Sequence, residues 1–127
     1  MTGYVGDIEE ITEKNTNFRQ VLFTGKHCQL VVMSLKPKEE IGVEAHPTVD
    51  QFFRIEEGQA RVIIDGEEHI VGDGDAVIVP AGSQHNLINI SEAEDLKLYT
   101  IYSPPNHPEG TVHKTKEEAA AAEIHEE

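Results

Sequence analysis

Four residues able to do chemistry stand in two short segments: Glu44, His46 and Gln51 in GVEAHPTVDQFFRIEEG (42–58), and His85 in GDAVIVPAGSQHNLIN (74–89). Alternate residues of a strand face the same side, so Glu44 and His46 project together. Gln51 leads the next strand, with Phe53 and Ile55 on its inward face and Arg54 outward by parity. His85 follows a Pro80-Ala81-Gly82 corner and is carried into a second apolar run. If all four meet in one interior, they form a cluster of two imidazoles, one carboxylate and one amide oxygen. Leaving such groups uncompensated costs roughly 2 kcal/mol or more apiece. A bound divalent cation is one compensation; a metal-free interior, in which Glu44 and Gln51 hydrogen-bond the imidazoles, is the other.

A second group of candidates could move protons. His107 and His113 bracket Gly110 in the Pro-rich stretch SPPNHPEGTVH (103–113), an irregular ordered loop or a lid. A lid histidine is suited to acid or base work near neutral pH. The spacing does not decide, and an exposed loop is the expected setting. Arg54, Arg61, Tyr99 and Tyr102 lie on strands of which one face lines the interior. Of these, Tyr99 and Arg61 join His107 and His113 as candidate catalytic groups. His27, His69 and His125 fall in a turn, a hairpin and the tail, and are expected on the surface.

The elements that must position these side chains are short strands. Turn signals recur every eight to twelve residues between β-branched and aromatic runs, the pattern of a sandwich or barrel. Strands are predicted at 18–23, 29–36, 51–55, 61–64, 69–71, 76–79, 86–89 and 96–102. Asp65-Gly66 supplies the two positive-φ residues of a tight hairpin, and Gly72-Asp73-Gly74 is a second turn. Only KTKEEAAAAEIHEE at the end reads as helix, capped by Thr115 with Glu118 completing a capping box. The chain of 127 residues fits one domain, with a barrel core over about 18–103 and a C-terminal loop and helix over 104–127.

Composition narrows the partners. Twenty-four acidic against ten basic residues give a formal charge of −14, which disfavours nucleic acid and anionic membrane surfaces. No apolar run approaches a membrane span. The single cysteine, Cys28, can form neither an internal disulfide nor a Cys-rich zinc site, and no apolar signal run follows Met1. The expected compartment is the cytoplasm.

The second segment resembles a motif of the cupin superfamily, G-x5-P-x-G-x2-H-x3-N, with Gly74, Pro80, Gly82, His85 and Asn89 all in register. The first cupin motif, G-x5-H-x-H-x3or4-E-x6-G, is met in part: Glu44 stands for the first histidine, His46 for the second, Gln51 for the glutamate, and Gly58 closes it. Lys38 occupies the place of its leading glycine. The resemblance implies an all-β antiparallel double-stranded β-helix, a jelly-roll barrel with a metal in one end of its lumen, here followed by a short C-terminal α-helix. It implies Glu44, His46, Gln51 and His85 as ligands of one divalent ion, iron, manganese, nickel or zinc. Exchanging His for Glu and Glu for Gln leaves the ligand charge at −1, consistent with a retained site. It also implies a homodimer paired through edge strands, with Asn17–Phe23 a candidate for covering or exchanging an edge. Three functions stay open: a metal-dependent oxygenase or sugar isomerase/lyase-type enzyme acting on a small polar metabolite, a non-catalytic module that binds a small molecule or metal, and a structural barrel with a filled lumen.

Overall fold

The computed structural model describes residues 3–126, with side chains as far as Ala122. The elements are α1 (Ile8–Lys14), β1 (Arg19–Thr24), β2 (Gln29–Leu35), β3 (Asp50–Glu57), β4 (Gln59–Ile64), β5 (Glu67–Gly72), β6 (Ala76–Val79), β7 (His85–Asn89), β8 (Leu96–Ser103), β9 (Val112–His113) and α2 (Lys116–Glu126). All eight predicted strands are present, with ends shifted by a residue or two. They form a six-stranded sheet in the order β6-β3-β8-β2-β1-β9 and a three-stranded sheet in the order β5-β4-β7, antiparallel throughout. The segment before β3 adds bridges from Glu40 to Ile88 and from Glu44 to His85, and so runs beside β7. This is the jelly-roll barrel.

Alternation sets what each face buries. Phe53, Ile55, Val31, Met33 and Leu98 meet Val62 and Leu87 of the other sheet in one core, and each such side chain contributes about 1.5–3 kcal/mol by leaving water. β2 departs from alternation, since Val31, Val32 and Met33 are all buried. The reason is α1, which packs on the outer face of β2, β3 and β8. The Asp65-Gly66 hairpin forms as expected, with φ of 48° and 84° and β4 paired to β5 on either side.

Two elements are additional to the sequence reading. α1 begins at Asp7, whose carboxylate accepts a hydrogen bond from the Glu10 amide at 3.1 Å, a D-x-x-E signal present in the sequence. Its C-terminal end is held by Lys97, buried against the sheet, which donates to the Asn15 carbonyl at 2.6 Å and to Ser34 Oγ at 2.9 Å. β9 is too short to carry a periodic signal; it pairs Val112 and His113 with Gln20 and Arg19. α2 starts after Thr115, whose hydroxyl accepts from the Glu118 amide at 3.1 Å. The Glu118 carboxylate reaches back to the Lys114 amide at 3.4 Å instead of closing the box on Thr115. No described helix is long and apolar enough to cross a membrane.

Candidate metal centre

Backbone pairing brings the two motif segments together. Glu44 and His85 exchange both amide hydrogen bonds, at 2.9 and 2.8 Å, and residues directly opposite in an antiparallel pair project to the same face. The turn at Gly82, with φ of 88°, donates its amide to the His46 carbonyl at 2.8 Å. A residue with a side chain is strained at that φ, which accounts for glycine there. Around the site Val43 and Ala45 are exposed while Glu44 and His46 turn inward, the alternation predicted from sequence.

The donor atoms of Glu44, His46 and His85 lie within 4.8 Å of one another. His46 Nε2 stands in close contact with Glu44 Oε2, at 2.8 Å. Two donors each ~2.1 Å from one ion and at right angles to each other stand about 3 Å apart. His85 Nδ1 faces the Ser83 carbonyl at 3.3 Å. A carbonyl only accepts, so Nδ1 carries the proton and Nε2 keeps its lone pair. That Nε2 is buried and without a hydrogen-bond partner among the described residues.

Gln51, the second residue of β3, lies on its inward face, 2% exposed, opposite Tyr102 and Val79. Its amide Nε2 donates to Thr100 Oγ1 at 3.0 Å, which fixes the amide so that Oε1 is left buried and without a partner. Burial pushes the Glu44 carboxyl up, but the close contact with His46 and then the charges of His46, Arg19 and His85 outweigh it and hold the group below its ordinary value. The cluster therefore presents a carboxylate and two imidazole nitrogens, a donor set that suits a divalent ion of intermediate softness.

The other candidates divide. His107 is half-buried, in place of the exposed setting expected. Its Nε2 lies 3.2 Å from Tyr102 Oη, and the Tyr102 ring is edge-on to His46 at 6.0 Å. Gln29, fully buried, holds the loop by donating to the His107 carbonyl at 2.8 Å and accepting from the Asn106 and His107 amides at 3.1 and 3.0 Å. Burial, followed by the Arg19 charge, pushes the His107 imidazole down to about 3, so it is neutral at physiological pH. His113 sits on β9 beside Arg19. Tyr99 and Arg61 point away from the cluster: Tyr99 stacks obliquely on Phe52 outside the larger sheet, and Arg61 is exposed, 4.0 Å from Glu68. His27 and His69 are on the surface as expected, and the His125 side chain lies outside the described residues.

A family model for the cupin domain matches residues 31–102. The chain belongs to the cupin family. It is 50% identical over 126 residues to the Bacillus subtilis (strain 168) protein YrkC, covering 94% of this chain and 67% of that one. It is 47% identical over 113 residues to protein L612 of Acanthamoeba polyphaga mimivirus, covering 86% and 70%. Among solved structures, BH2720 of Bacillus halodurans aligns with a TM-score of 0.90 at 44% identity, over 93% of each chain.

Within this cupin the motif residues have separable tasks. Asn89 is a clasp, its amide nitrogen donating to the carbonyls of Leu35, Lys36 and Glu94 at 3.1, 3.0 and 2.9 Å. Lys38, in the place of the first motif's glycine, adopts φ of 65°, so the left-handed turn is kept without the residue that favours it. Gln29, Thr100 and Arg19 escaped the sequence reading. For Arg19 a signal existed, since it shares strand parity with the apolar Val21 and Phe23.

Proposed function

We propose that this cupin is a metal-dependent enzyme acting on a small polar metabolite, with one divalent ion (iron, manganese, nickel or zinc) held by Glu44, His46, Gln51 and His85. The observation that carries the reading is the pair of buried atoms without hydrogen-bond partners among the described residues, Gln51 Oε1 and His85 Nε2, together with the clustering of Glu44, His46 and His85 donor atoms within 4.8 Å. Orphaning such atoms costs about 1–3 kcal/mol each, and coordination offsets it.

When bound, the ion supplies Lewis acidity toward a substrate oxygen, as an isomerase or lyase needs, or a redox-active centre, as an oxygenase needs. The chain's own part is proton handling. Tyr102 and His107 form a hydrogen-bonded pair of titratable groups outside the ligand set, with Tyr102 reaching toward His46. Such a pair supports an enzyme over a passive binder, which needs no group to move a proton. Gln29, gripping the loop backbone on both sides of His107, keeps the imidazole on the phenol. The proposal extends to a single cupin domain that pairs as a homodimer and works in the cytoplasm.

The test begins with elemental analysis of protein purified without chelators. One ion per chain is expected, falling to about a tenth or less in the His46→Ala, His85→Ala double variant; equal content in both would remove the site. Turnover is then screened on sugar phosphates, keto acids and catechol-like compounds, with and without oxygen. Tyr102→Phe is expected to lose turnover while keeping the ion. Bound metal with no turnover on any class would favour a binding module.

A further inference from the structure

Arg19 is a buried cation without a counter-ion among the described residues. It is 2% exposed, and among the described residues no carboxylate lies within ion-pair distance of it. Its Nε has no hydrogen-bond partner. Its other contacts are weak ones for a charge: Nη1 is 3.5 Å from His113 Nδ1, and the guanidinium lies 5.3 Å above the Phe18 ring. A guanidinium keeps its proton in any such setting, and a buried charge lacking a partner is strongly unfavourable. Position adds to this. Arg19 lies opposite the core residue Met33 and lines a small cavity with Phe18, Ile41, Lys116, Ala119 and Ala120, beside the segment that leads into Glu44. Lys116 is a second cation on that wall. The Arg19 charge also depresses both the Glu44 carboxyl and the His107 imidazole, which places it within electrostatic reach of the candidate centre.

We propose that Arg19 is an oxyanion-binding residue, so that the ligand of this cupin carries a carboxylate or phosphate group that pairs with the guanidinium beneath the first turns of α2. The planar fork of Arg suits both groups. A chain of net charge −14 repels anions over most of its surface, so collecting one requires a local cation of this kind. Placing the rest of that ligand at the metal centre rests on the function proposed above; the pairing with Arg19 does not.

The chain has three arginines, Arg19, Arg54 and Arg61, so the Nε–H signals can be followed individually by NMR, with Arg19 assigned by its loss in Arg19→Lys. Inorganic phosphate, malonate and uncharged malonamide are titrated into metal-loaded and metal-stripped protein. The Arg19 signal is expected to shift saturably with phosphate or malonate, whichever group the site is built for, and to ignore malonamide. Arg19→Gln is expected to weaken binding roughly 10- to 100-fold, whereas Arg54→Gln, on the outer face, leaves it unchanged. Undiminished binding in Arg19→Gln, or no saturable shift with either anion, would overturn the proposal. Should Arg19→Gln fail to fold, the wild-type titration decides alone. A saturable shift in protein that never holds metal would sink the metal reading and leave Arg19 standing; bound metal with no shift does the reverse.

Discussion

Gln51 is the neutral member of the proposed ligand set, so its charge is the natural lever on how tightly the proposed ion is held. Gln51→Glu supplies a second anionic ligand, and the Thr100 hydroxyl that now accepts from the amide is free to donate instead. Divalent-ion affinity is expected to rise roughly tenfold, read by competition with a chromogenic chelator; an unchanged affinity would mean that residue 51 does not ligate. His107 makes a different prediction. Its folded-state value of about 3 lies below its ordinary 6.5, so as pH falls from 6.5 the unfolded chain gains a proton that the folded chain refuses. Stability present above pH 6.5 is therefore lost progressively on acidification. His107→Gln is expected to flatten the dependence of Tm on pH between about 6.5 and 5.5, where ordinary glutamates stay largely ionised; an identical slope would refute the assignment. The positions of Glu44, His46 and Gln51 were legible because strand alternation fixes direction. His107 was not, since its burial depends on Gln29, distant in sequence and joined to the loop by hydrogen bonds that no local pattern encodes.

Among the elements, the connection from β7 to β8 hangs on Asn89, which is 1% exposed. Asn89→Ala removes the two N–H donors that three carbonyls share and the Oδ1 that accepts from Ser91, leaving carbonyl groups unsatisfied. A loss of about 3 kcal/mol in urea unfolding is expected, with metal content unchanged where the variant remains folded. Lys38→Gly runs the other way: relief of left-handed strain is set against one exposed bond from Nζ to the Ile90 carbonyl and added chain entropy. The variant is expected to be neutral to stabilising by about 0.5 kcal/mol. The strands were readable because their turns carry Gly, Pro and Asp at the required positions. β9 and the outer covering of β2 were not readable: two residues have no period, and the burial of Val32 depends on α1 arriving from outside the sheet.

Across the whole molecule, the six-stranded sheet ends at β6 on one side and at β9 on the other, where β9 pairs with β1 at Arg19 and Gln20. The proposed homodimer uses such edges, and sedimentation at micromolar concentration is expected to give twice the mass of one chain. A single-chain mass would exclude it. The backbone exchange between Glu44 and His85 carries a further consequence. Two proposed ligands separated by some forty positions in sequence are fastened by main-chain bonds that owe nothing to a cation, so removing the proposed ion would empty a rigid socket without loosening its walls. Amide deuteration at residues 44 and 85 should thus be equally slow in chelator-stripped and reloaded protein, and swapping one ion for another becomes a matter of availability in the surroundings, with no refolding required.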